Sequence, residues 1–196
     1  MSVTVYNAPS LSWAHGAFEA PAALEDIYCI DKAYISQWPT LAVNEIGQIT
    51  SGSYTGNFVL VAGAKWAVHR AVPETIALTS EAQGSLPAQT QKNVLEYTHQ
   101  SVSEDATGAV SRLLNGDFVF VVVRANGKAR VVGSPKWQTT VTVSQDQGTG
   151  SAGEVGTKVH VEATDQIPAP YITATCLADI KANVEGADDD DDDNQE

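Results

Sequence analysis

The strongest pattern along the chain is the uninterrupted apolar run Phe118-Val-Phe-Val-Val-Val123, closed by Arg124. β-Branched and aromatic residues without alternation predict a strand covered on both faces. Ala125-Asn-Gly-Lys128 follows. Its Asn-Gly pair predicts a two-residue hairpin, because both positions tolerate positive φ. The return strand is expected over 129–133, stopped before Pro135. Residues 138–144 alternate, with Thr139, Val141 and Val143 on one side, and residues 157–164 alternate with Val159, Val161 and Ala163 inward. Between them lies a glycine-rich loop of eleven residues, 146–156.

Upstream of the apolar run, 94–101 reads as a strand and Ser101-Val-Ser-Glu104 matches a capping box, with Ser103 as the alternative N-cap. Ala106, Val110 and Leu113 continue at helical spacing, and Asn115-Gly116 offers a C′ glycine. One short helix, about 103–115, is predicted. In the N-terminal half, 2–6 alternates as a strand, 17–24 reads as a connection, and 25–35 fits strand or helix. Residues 51–56 read as a turn or loop, 57–62 and 65–72 as strands, and 73–91, polar with Gly84 and Pro87, as a long surface loop. The expected fold is mainly β: an antiparallel β-sandwich or barrel with one helix.

Composition adds an asymmetry. The 196 residues hold 11 Lys+Arg and 24 Asp+Glu, a net charge of −13. Eight acids and no base lie in 185–196, including the run Asp188 to Asp193, which leaves 1–184 at 16 acids against 11 bases, or −5. The expected organisation is one β-rich domain over 1–184 followed by a disordered acidic tail, 185–196. Scattered bases, with only Arg124, Lys128 and Arg130 grouped, argue against tight nucleic-acid binding. The N-terminus lacks a secretory pattern, and no apolar run approaches the ~18 residues of a membrane span. Cys29 and Cys176 stand in apolar surroundings without metal spacing and read as buried, reduced thiols. Folding in a reducing cytoplasm is the expectation.

Motifs of chemistry are hinted at and then fail. Gly148-Thr-Gly-Ser-Ala-Gly153 satisfies G-x-G-x-x-G, but a strand pattern follows where a dinucleotide site needs a helix. Gly52-Ser-Tyr-Thr-Gly56 has Tyr54 where a nucleophile elbow needs serine. His15, His69, His99 and His160 show no known metal-ligand spacing. The aspartate run lacks the spacing and glycine turn of a calcium loop. No catalytic, cofactor-binding or metal residue is assigned, and no enzyme activity is expected.

Residues 97–171 resemble a group of small tail structural proteins of Bacteroidetes-type bacteriophages. The likeness is carried by Tyr97-Thr-His and Ala109-Val-Ser-Arg-Leu-Leu114, by Asp117 with its apolar strand, and by the hairpin Arg124-Ala-Asn-Gly-Lys128. It continues through Val132-Gly133, the loop from Asp146-Gln-Gly148 to Gly156, and Ile167-Pro-Ala-Pro-Tyr171. The resemblance implies a tail-tube or neck/tail ring subunit of the virion, assembled in the host cytoplasm. It implies partners that are further copies of the chain, in rings or stacked rings, and other tail or neck proteins. DNA would pass through the channel without tight binding, and no membrane would be involved. Loops 73–91 and 146–156 are the segments expected to touch neighbouring subunits. The alternative is a non-catalytic binding module for carbohydrate or a cell surface, with Trp13, Trp38, Trp66 and Trp137 as stacking candidates.

Overall fold

The apolar run at 118–123 forms the wall between two hydrophobic cores. The structure is a computed structural model describing residues 23–149 and 155–185, with Leu11, His15, Gly16 and Gly153. The N-terminal strand at 2–6, most of the connection at 17–24, Trp13 and the aspartate run lie outside the described residues. The elements are β1 (Ala23–Asp31), β2 (Ile35–Gln37), β3 (Thr40–Val43), β4 (Ile49–Thr55), β5 (Val59–Leu60), β6 (Ala67–Arg70), β7 (Ala77–Gln83) and β8 (Thr90–His99). Then come helix α1 (Glu104–Leu113), β9 (Phe118–Arg124), β10 (Ala129–Val132), β11 (Thr139–Asp146), β12 (Gly156–Asp165), β13 (Tyr171–Ile172) and helix α2 (Ala174–Ala182).

A seven-stranded sheet has the order β3-β4-β13-β10-β9-β1-β6, and a four-stranded sheet the order β11-β12-β8-β7. β2 and β5 pair separately. All pairs are antiparallel except β13 with β4. Phe120 and Val122 of β9, with Ile27 and Cys29 of β1, face the four-stranded sheet and pack with Leu95, Tyr97, Val159 and Val161. Val119, Val121 and Val123 point the other way, into a core closed by Cys176, Leu177 and Ile180 of α2 and by Phe58 and Trp66. Burial on both faces is the reason β9 shows no alternation. The four-stranded sheet has only one buried face, so β12 alternates, with Val159, Val161 and Ala163 inward as expected and Thr157 buried on the same face.

The mainly β fold is as the pattern predicts, with local corrections. Among the described residues there are two α-helices rather than one, besides a 3-10 turn at Lys32–Tyr34. α2 is capped by Thr173, whose hydroxyl accepts from the Cys176 amide, and it buries Cys176, Leu177 and Ile180 against the large sheet. For α1 the cap is Ser103, its hydroxyl accepting from the Ala106 amide; the Ser101 hydroxyl instead accepts from the Ser103 amide. Asn115, at φ 63°, takes the left-handed position expected of Gly116. The 125–128 turn is also different. Gly127 N–H donates to the Arg124 carbonyl, and only Gly127 has positive φ, so it is a type I turn with a glycine bulge rather than a two-residue loop. Residues 51–56, read as a turn, belong largely to β4, and the strand expected over 57–62 shrinks to Val59–Leu60. The expected loop 73–91 contains β7, leaving only short connections on either side.

Candidate assembly surface

The four-stranded sheet has two edges without a strand partner among the described residues, β11 and β7. They comprise eight and seven residues. Because all three internal pairs are antiparallel, β7 and β11 run in opposite directions. A second copy laid edge to edge therefore continues the antiparallel ladder. An uncovered edge carries a row of backbone donors and acceptors that templates such pairing. The glycine-rich connection follows β11, with Asp146 opposite Gly156, so both segments expected to meet neighbours belong to this sheet.

The sheet's solvent face is polar by alternation. Cross-strand register puts Lys92, Glu96, Lys158, His160, Glu162, Glu81 and Asp146 on it, four acids against two lysines. Lys92 Nζ lies 2.6 Å from Glu162 Oε1. His160 sits between two carboxylates, Nδ1 at 2.8 Å from Glu96 and Nε2 at 3.1 Å from Glu162. Hydrogen bonds to Glu162 and then Glu96 raise its pKa, since both ring N–H groups donate in the charged form. Lys92 and His160 together hold the Glu162 carboxyl below its ordinary value. The sequence signal for this network is the His-x-Glu spacing at 160 and 162, which places both side chains on one strand face; it is an i, i+2 His–carboxylate pair, and the reading of the histidines by metal spacing passed over it.

The two ends of the sheet differ. Where β8 ends and β12 begins, a cavity of about 380 Å³ opens between α1 and strands β6, β8 and β12. Ala106, Ala109, Val110 and Leu113 form its helical wall, and His69 and Tyr97 line it from the strands. The His69 ring and Tyr97 hydroxyl share one hydrogen bond of 2.6 Å. Burial, and then His99, lowers the His69 pKa to about 4, while burial raises that of Tyr97, so both are neutral at pH 7. His99 donates Nδ1–H to the Arg70 carbonyl. At the same end, on the sheet's solvent face, a second cavity of about 410 Å³ is lined by Pro73, Thr98, Asp146, Val155 and Lys158. At the other end the β7–β8 hairpin projects Leu86, 83% exposed.

Gly148 and Gly153 lie in the β11–β12 connection, which leads into a strand. Tyr54 is buried in β4. Trp66 is buried, edge-on to Phe58 at 5.5 Å, and Phe58 stands likewise to Trp38 at 5.4 Å; Trp137 is half-buried. His15 is exposed in a turn. Cys29 and Cys176 are free and buried. Among the described residues no group of three His, Cys, Asp or Glu is arranged to hold a metal, and no helix is long and apolar enough to cross a membrane. No family model matches the chain, and no match was found among curated proteins or solved structures.

Proposed function

We propose that the chain is a bacteriophage virion structural subunit, a tail-tube or neck/tail ring protein that closes rings by joining β7 of one copy to β11 of the next. The observation that carries this reading is the pair of unpartnered, oppositely directed edges on one sheet. Contacts between two different patches of the same chain generate rings when the rotation closes. The sheet's inner face is already filled by the core. Its polar face is therefore the one left to line the channel. Four acids against two lysines there would let DNA slide through, because counterion release needs clustered cations. The resemblance of residues 97–171 to phage tail proteins points the same way.

The test is the assembly state of the purified chain, by light scattering after size exclusion and by negative-stain imaging of the same fractions. Rings at micromolar concentration are expected. The edge variants Thr79→Lys and Thr140→Lys, both at exposed positions, should shift rings toward monomer when combined, since they set like charges across the junction, and leave the monomer's urea midpoint nearly unchanged. A wild-type chain that stays monomeric at millimolar concentration overturns the reading.

A further inference from the structure

A ring needs contacts along its axis to stack, and the four-stranded sheet carries an exposed leucine at one end and a cavity at the other. The β7–β8 ladder is paired to its last residues, Gln83 with Thr90, so the turn beyond it is carried on a continuous hairpin. Within that turn Ala88 N–H bonds the Ser85 carbonyl at 2.9 Å, and the side chain thrown outward is Leu86. A leucine so exposed, followed by Pro87, forms a small apolar knob. The hole is at the opposite end of the same strand. β8 is ten residues long, so knob and hole are about 33 Å apart along the strand direction.

We propose that Leu86 of one copy inserts into the α1 cavity of a second copy displaced along the strands, so that rings stack head to tail. The cavity suits this occupant in size and chemistry. About 380 Å³ admits a leucine with part of the following proline, against the apolar wall of Ala106, Ala109, Val110 and Leu113. Its floor, the His69–Tyr97 pair, is uncharged at neutral pH. Arg70, Ser101, Ser103 and Asp105 supply a polar rim, the arrangement that shields an apolar anchor from water. Knob and hole are different surfaces of the same chain, so the contact does not satisfy itself in a dimer and repeats from copy to copy. One such contact is weak; a ring presents one from every subunit at once, and simultaneous engagement multiplies the affinity. This inference rests on the ring reading for that multiplication.

The experiment is disulfide trapping at the concentration where the wild type assembles. Leu86→Cys and Ala109→Cys chains are mixed under mild oxidation; the native Cys29 and Cys176 are buried and do not compete. Leu86→Cys mixed with Ala125→Cys, at an exposed position in the β9–β10 turn, is the control. A covalent dimer from the first mixture and not the second supports the contact. Leu86→Ser, a surface change that leaves the fold intact, should give rings of wild-type diameter in stacks at least tenfold shorter. Two results overturn this inference and leave the ring reading standing. One is stacks of unchanged length with Leu86→Ser. The other is stacked rings in which the Leu86→Cys and Ala109→Cys chains give no disulfide-linked product, because another segment fills the cavity. A wild type that forms neither rings nor stacks overturns both.

Discussion

His69 of β6 and Tyr97 of β8 belong to different sheets, and their Nδ1 and hydroxyl oxygen meet at 2.6 Å beneath α1. The bond pins one sheet to the other at the point where the helix leaves a cavity. Burial keeps the imidazole neutral there.

That neutrality has a pH signature. The folded pKa of about 4 lies below the unfolded value of about 6.5. The unfolded chain therefore binds the proton more readily between the two. Stability from this group is fully present above pH 6.5 and is lost as the pH falls toward 4, a change on the order of 3 kcal/mol. Urea midpoints across that window should show the slope, and His69→Phe should flatten it while lowering the plateau by leaving the Tyr97 hydroxyl unpartnered. An unchanged slope in the variant removes the assignment to His69.

His160 works in the opposite direction. Its folded pKa is raised by Glu162 and Glu96, so its contribution is complete below the unfolded pKa and fades as the pH rises through the folded one. The site is largely exposed, and screening keeps the effect below about 1 kcal/mol. Proton NMR titration of the ring should give a pKa above that of a free histidine, falling back in Glu162→Gln.

Asp165 is buried, with Oδ1 accepting from the Gln166 amide and Oδ2 without a partner. Burial raises its pKa against the opposing Gln166 amide and Lys136. The charged form is thus a liability at neutral pH, and protonation stabilises the fold as the pH drops through the raised pKa. Asp165→Asn should gain about 1 kcal/mol at pH 7 and nothing at pH 3. Chemical denaturation at the two pH values distinguishes this from a general packing effect.

Gly133 follows β10 at φ 130°, and a Cβ there would stand 3.3 Å from the Val119 backbone and side chain. Gly133→Ala should cost about 1–3 kcal/mol from backbone strain and crowding. Gly108→Ala, in open space within α1, should instead stabilise by roughly 1 kcal/mol. Paired thermal melts of the two variants with wild type test both.

The strands that bury large side chains were legible. β9 showed its two-sided burial as an unbroken run, and β11 and β12 showed theirs as alternation. β7 was hidden because an edge strand with one solvated face needs few apolar residues, and Ala77-Leu-Thr-Ser-Glu-Ala-Gln83 is built mostly from weak strand formers. α2 carried its signal at Thr173 and at positions 176, 177 and 180, but threonines and a cysteine dilute helix propensity, and only packing on the large sheet makes the segment helical. The His69–Tyr97 pair joins residues 28 positions apart on different sheets, and no local spacing encodes it. The unpartnered edges are properties of strand order, which alternation alone does not determine.

Because β9 contributes side chains to both cores, neither core can melt while the other stays intact. Opening the α2 side strips Val119, Val121 and Val123 of their cover, and opening the other strips Phe120 and Val122 from the same backbone. The described region should therefore lose its structure in one cooperative step. Amide protons along β9 would then exchange with solvent only through global unfolding. A subunit with such a spine transmits a pull on either sheet to the whole body and has no compliant layer to yield first.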